Sequence, residues 1–418
     1  MPPPMPLPPP CTFDITRPPG RRARRRLMPL AAALAALMSL AALPTAAEPF
    51  KPQDDAQVLL RLPAPAADAG SRALAALRRQ RDQAPGQPGP AAALAWGHIQ
   101  RLLAEGDPRD AGYAQAALAP WWTQAAPPAE VRVARAVLRQ FRHDFDGALA
   151  DLQPVVQQDP DDERAWAWIV AIHMVQAHYE QAREACEQGL GDGPDLLAQG
   201  CLAQVEAATG QAAPALARLD TALAADRDAT PAQRLWALTR LAETHERLGQ
   251  AAAAERAYRA ALALDLEDGY LLAAYADFLL DQRRPAEVLV LLKDRERNDL
   301  HLLRLALAAK ASKHPRLAAW QGMLAARFDA ARQRGDTAHQ KEEARFLLEL
   351  QGDAERALPL AVANYRVQRE AADARVLLQA ALAARRKAAA APVLDWLRES
   401  RFQSLVLAGL AAQVQALP

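Results

Sequence analysis

AEVRVARAVLRQFRHDFDGALADLQPVVQQDP at residues 129–160, followed by ERAWAWIVAIHMVQAHYEQAREACEQGL at residues 163–190, decides the fold. In each stretch small and apolar residues return every three or four positions, stop at a short polar turn, and resume. That pattern reads as two amphipathic helices joined by a tight connection. Ala148 and Ala182 hold the same place in the two second helices, 34 residues apart, and Ala114 lies another 34 residues upstream. The beat returns between Ala254 and Val288 and between Ala357 and Ala391. A fixed period of this length means helix pairs stacked into a solenoid, so the fold expected is all-α.

The residues at this spacing have a physical reason to be small. Where two helices cross, small side chains let the axes approach to the short end of the 8–10 Å range. Large residues such as Trp166 and Tyr258 then fill the space where the helices diverge. Asp159-Pro160 closes the first unit, because proline cannot continue the helix. Pro154, Pro359 and Pro392 fall inside second helices and predict bends or early ends, while Pro214 reads as a tolerated first-turn proline.

These units resemble tetratricopeptide repeats. In that family a large residue at position 4 packs in the first helix, positions 8 and 20 are small, and position 32 is often proline. Trp166 stands at position 4, Ala136 and Ala242 at position 8, Ala148, Ala182 and Ala215 at position 20, and Pro160 at position 32. The resemblance covers about residues 91–398 and implies a right-handed superhelical solenoid of antiparallel helix pairs. It departs from the pattern near Asp226–Pro231, where the spacing lengthens, and over 298–337, where helical character persists without the motif. The chain is similar more broadly to exported bacterial tetratricopeptide proteins, through Gly106-Asp-Pro-Arg-Asp-Ala-Gly-Tyr113, Pro120-Trp-Trp122 and His143-Asp-Phe145.

The N-terminus reads as an address. A proline-rich start precedes Arg21, Arg22, Arg24, Arg25 and Arg26, then the apolar run Leu27–Leu43, then Pro44-Thr45-Ala46-Ala47. Basic region, short apolar core and small residues make up a secretory signal. Cleavage after Ala47 and a periplasmic or secreted mature chain are expected, with membrane association only if the apolar run is kept. Residues 1–47 hold six arginines and one aspartate, so the 50 basic and 49 acidic residues of the whole become 44 and 48, a net −4. Nothing in that balance points to nucleic acid. Beyond the signal, residues 48–90 read as a proline-dotted segment with a short helix, 91–297 as the solenoid, 298–337 as an irregular helical segment, and 338–418 as degenerate repeats with a C-terminal helix.

Chemistry-bearing motifs are missing from the sequence. The eight histidines form no H-E-x-x-H, and there is no G-x-S-x-G, G-x-G-x-x-G or phosphate-binding G-x-x-x-x-G-K-[ST]. No cofactor, metal or enzymatic activity is expected. Cys186 and Cys201, 15 residues apart on neighbouring helices, are either a disulfide suited to an oxidising compartment or two small buried side chains. Pro120-Trp121-Trp122 reads as a packing element in preference to a docking patch.

The family resemblance implies a binding surface lined by first helices, through repeat positions 2, 5, 9 and 12. Carried onto this chain, those positions give Trp236, Glu243 and Glu246 in one unit, Tyr270 and Asp277 in the next, and Glu342, Phe346 and Glu349 further on. Such a groove pairs carboxylates with aromatic rings and suits a basic or mixed peptide with an apolar anchor. The expected function is a non-catalytic scaffold that binds a protein or peptide, most naturally an envelope protein. The alternatives are a structural spacer or self-association module, and a cell-wall-active enzyme.

Overall fold

The computed structural model describes residue 54 and residues 69–418 except 192, so the expected export segment and its expected cleavage point lie outside the described residues. Among the described residues every regular element is a helix and no strand occurs. The helices are α1 (Ala69–Gln83), α2 (Pro88–Glu105), α3 (Arg109–Ala117) and the short α4 (Ala119–Trp122). Then come α5 (Ala129–Phe141) with α6 (Phe145–Gln158), α7 (Glu163–Val175) with α8 (Tyr179–Gly189), and α9 (Leu196–Ala208) with α10 (Ala212–Ala225). The pairs continue as α11 (Pro231–Arg247) with α12 (Ala251–Leu262), α13 (Gly269–Asp281) with α14 (Pro285–Leu291), and α15 (Asp299–Ser312) with α16 (Leu317–Gln333). The last elements are α17 (Gln340–Arg345), α18 (Ala354–Val367), α19 (Ala371–Ala383), α20 (Ala391–Ser400) and α21 (Leu405–Gln415). The helix-pair solenoid is therefore present.

Packing follows the small-residue rule. Ala114, Ala148, Ala182, Ala215, Ala254 and Ala357 are all fully buried at the crossings, as is Val288. Ala136 and Ala242 meet them from the first helices. The beat slips once: Ala391 is exposed, and Ala390, in the turn that precedes α20, takes the buried place. Aspartates begin many helices. Asp144, Asp162, Asp195, Asp268 and Asp353 each accept a hydrogen bond from a first-turn backbone N–H. Each such cap contributes about 1 kcal/mol.

The turn inside each pair needs one residue with positive φ. Gly210, Gly249 and Gly352 fill that place in three pairs, and His143, Ala177, Arg283 and Lys313 fill it in others. The non-glycine residues bear a left-handed backbone because the repeat dictates the turn, a local cost of about 1–2 kcal/mol. The interior prolines do not end their helices: Pro154 lies within α6 and Pro359 within α18. Pro392 sits in the first turn of α20, where its missing N–H has no partner to lose.

The N-terminal motifs are structural. Gly106 caps α2 in the left-handed region. Asp110 is buried, and its carboxylate takes His98 Nδ1 at 2.6 Å and Arg101 Nε at 2.8 Å. Trp121 is buried, and the Trp122 carbonyl accepts from Arg135 at 2.7 Å while Arg135 also pairs with Asp151. Cys186 and Cys201 form a disulfide between α8 and α9, with Cα atoms 5.9 Å apart.

The superhelix closes on itself. The Arg369 N–H donates to the Val175 carbonyl at 2.7 Å, and Trp396 Nε1 donates to Tyr179 Oη at 3.0 Å. Gln403 accepts from the Ala212 N–H at 3.0 Å, in the first turn of α10. Further back, α2 touches α13, where a Cβ at Gly269 would lie 2.9 Å from the Ala104 carbonyl oxygen.

Candidate binding cavity

A cavity of about 330 Å³ lies inside this closure. First helices supply most of its wall: α9 through Ala203, α11 through Arg240, α13 through Tyr270, α15 through Arg304, α17 through Lys341 and α19 through Arg375. The chain beyond Ser400 completes the wall through Phe402 and Leu407.

Five of the eight residues anticipated for a groove meet here: Glu243, Glu246, Tyr270, Asp277 and Glu342. The other three do not. Trp236 packs between helices, where a Cβ at Gly200 would fall 2.4 Å from its Cζ3. Phe346 is buried against Phe328, with ring centroids 5.4 Å apart. Phe346 opens a π-helical turn, Phe346–Gln351, that follows α17 and changes the register beyond it. Glu349, on the same turn, is held by Arg345 Nε at 2.7 Å outside the cavity lining.

The charge of the cavity also differs from the acidic groove that the sequence suggested. Arg240, Arg247, Arg304, Lys341, Arg345, Arg369 and Arg375 face Glu243, Glu246, Asp277, Glu342 and Glu370, so cations outnumber carboxylates. Sequence reasoning missed these cations. Arg240 and Arg247 stand on the same helix as Glu243 and could have been noticed, but Arg369, Arg375 and Trp396 arrive from distant units.

Most of the carboxylates are neutralised within the protein. Asp277 receives Arg345 Nη1 at 2.7 Å and a second bond from Arg304. Burial pushes its carboxyl up, but Arg304 and Arg345 more than offset this and hold it at about 2. Tyr270 Oη donates to Glu243 at 2.6 Å, and Arg240 pairs with Glu243 at 3.1 Å while lying 4.8 Å over the Tyr270 ring. Lys341 lies 3.6 Å from Glu342 and 3.5 Å from Asp373. Glu246 makes no ion pair among the described residues. It accepts from Tyr258 Oη at 2.9 Å, and burial raises it to about 8.

Arg247 is the exception among the cations near the centre. Its guanidinium lies 4.3 Å over the Phe402 ring and, among the described residues, reaches the Thr244 hydroxyl at 3.2 Å and the Ala207 carbonyl at 3.4 Å. Its Nε is enclosed without a partner, as is the Nε of Arg240. Burial lowers Arg247 to about 10. Among the described residues no group of three or more His, Cys, Asp or Glu is arranged to hold a metal ion, and no helix is long and apolar enough to cross a membrane.

Residues 142–205 match the tetratricopeptide repeat family model. The matched stretch holds α6 to α8 and most of α9, with both cysteines. No curated protein sequence matches the chain. A solved structure, the TPR domain of P58(IPK), is 14% identical and covers 84% of this chain and 94% of that one, with a TM-score of 0.21. That superposition is too loose to inform on the cavity.

Proposed function

We propose that this chain is a non-catalytic scaffold of the cell envelope that holds a protein or peptide partner on the face formed by its first helices. One observation carries the reading: charged and aromatic side chains from five first helices, α11, α13, α15, α17 and α19, converge on one cavity, with cations in excess. The partner segment it suits is acidic with an aromatic or aliphatic anchor, the reverse of the charge inferred from the carboxylates alone. The envelope location draws on the Arg21–Arg26 cluster with its apolar run, and on the disulfide, which fits an oxidising compartment.

Capture from envelope extract on the immobilised mature chain tests the proposal. The expected result is a saturable partner that is retained by the parent and lost with Arg369→Glu. Arg369 is exposed on the cavity rim, so this change leaves the core intact. Equal retention by both chains, or no saturable partner, would count against the proposal.

A further inference from the structure

We infer that the cavity behind the Tyr179–Trp396 contact binds a small organic anion, a carboxylate carried on an apolar body. This goes beyond the partner-binding reading and uses a different feature, the unmatched charge of Arg247.

Arg240, Arg304, Lys341, Arg345 and Arg375 each have a carboxylate within 4.0 Å. Arg247 makes no ion pair among the described residues. Arg247 is half-buried with its Nε enclosed, and a guanidinium partly withdrawn from water needs a counter-charge to offset its lost hydration. Glu243 acts on Arg247 through space, but its carboxylate is bonded by Tyr270 and Arg240; the adjacent carboxyl of Glu246 bonds Tyr258 and keeps its proton to about pH 8. The enclosed Nε atoms of Arg247 and Arg240 are two donors without acceptors in one cavity. A carboxylate offers two acceptor oxygens to a guanidinium, which is the pairing of best geometric match.

The remaining surface suits an apolar body. Ala203, Ala207, Leu303, Val376 and Leu407 line the cavity, with Phe402 beside Arg247. About 330 Å³ lies at the small end of ligand pockets and fits one small molecule. The Trp396–Tyr179 and Arg369–Val175 hydrogen bonds close one side of the cavity. A second cleft, also bounded by Tyr179, Arg369 and Trp396, adjoins the cavity. Once bound, the ligand would contact Arg247 from α11 and Phe402 from the C-terminal segment, and so tighten the seam.

The test uses calorimetric titration and thermal melting of the mature chain. The probes are phenylacetate and hexanoate, their neutral amides, inorganic phosphate, and a short peptide ending in phenylalanine. The two free carboxylates should bind saturably and raise the melting temperature, while the amides and phosphate should not. Arg247→Gln should weaken binding about 30-fold or more. Arg247→Lys, which keeps the charge, should retain part of the affinity and controls for loss of folding. The inference is overturned if amides bind as well as acids, if no free carboxylate binds, or if folded Arg247→Gln binds like the parent. Binding of the peptide alone would overturn it while leaving the partner-binding reading standing. Binding of free acids with no captured envelope partner would do the opposite.

Discussion

Glu246 shows how one buried side chain ties stability to pH. Its carboxyl is raised from an ordinary 4.5 to about 8, with burial as the main cause. Between those values the native chain holds a proton that the unfolded chain has released, so this group's contribution to stability falls as pH rises through that window. It is fully favourable below 4.5 and lost above 8. Glu246→Gln keeps an acceptor for Tyr258 and removes the titration. Thermal melts from pH 5 to 8 should therefore show the variant gaining on the parent as pH rises. A constant difference across the range would contradict the assignment. At this scale the sequence was legible where the repeat imposes a residue type, as at Ala148 and Ala182. It was misleading where a large side chain had two possible neighbours: Trp236 fills the space that Gly200 leaves open.

Between elements, the disulfide joins α8 to α9 across a loop of 15 residues. A closed loop of that size stabilises by about 3 kcal/mol if strain is small. Reduction, or the paired change Cys186→Ala with Cys201→Ala, should lower the urea midpoint by a corresponding amount. Coincident unfolding curves would show that the bond adds nothing. The helix pairs were readable from the 34-residue beat because small residues at crossings are a local requirement. The same beat survives in the backbone, where His143 and Ala177 share a left-handed turn position. What escaped was the change of helical type at Phe346, since nothing in FLLELQ marks a π-turn. The unit without the motif is nonetheless a helix pair: α15 buries Leu302, Leu303, Leu305 and Ala306 with no regular small-residue signature.

At the scale of the whole superhelix, closure builds the cavity. The contacts that make it join residues 191 apart, at Ala212 and Gln403, and 217 apart, at Tyr179 and Trp396. No periodicity in the chain announces such pairs, because curvature accumulates from small rotations at each repeat. This explains why five of the residues expected on one surface line the cavity while the cations opposite them were not foreseen. In the proposed reading the binding surface lies on first helices from distant units, with the outward helices as support. Hydrogen–deuterium exchange of residues 48–418, alone and saturated with a captured partner, tests that claim most directly. The account predicts added protection in residues 240–247, 269–281, 369–379 and 396–407, with second helices such as α10 and α12 unchanged. Protection confined to α10 and α12, with those four segments unaffected, would contradict it.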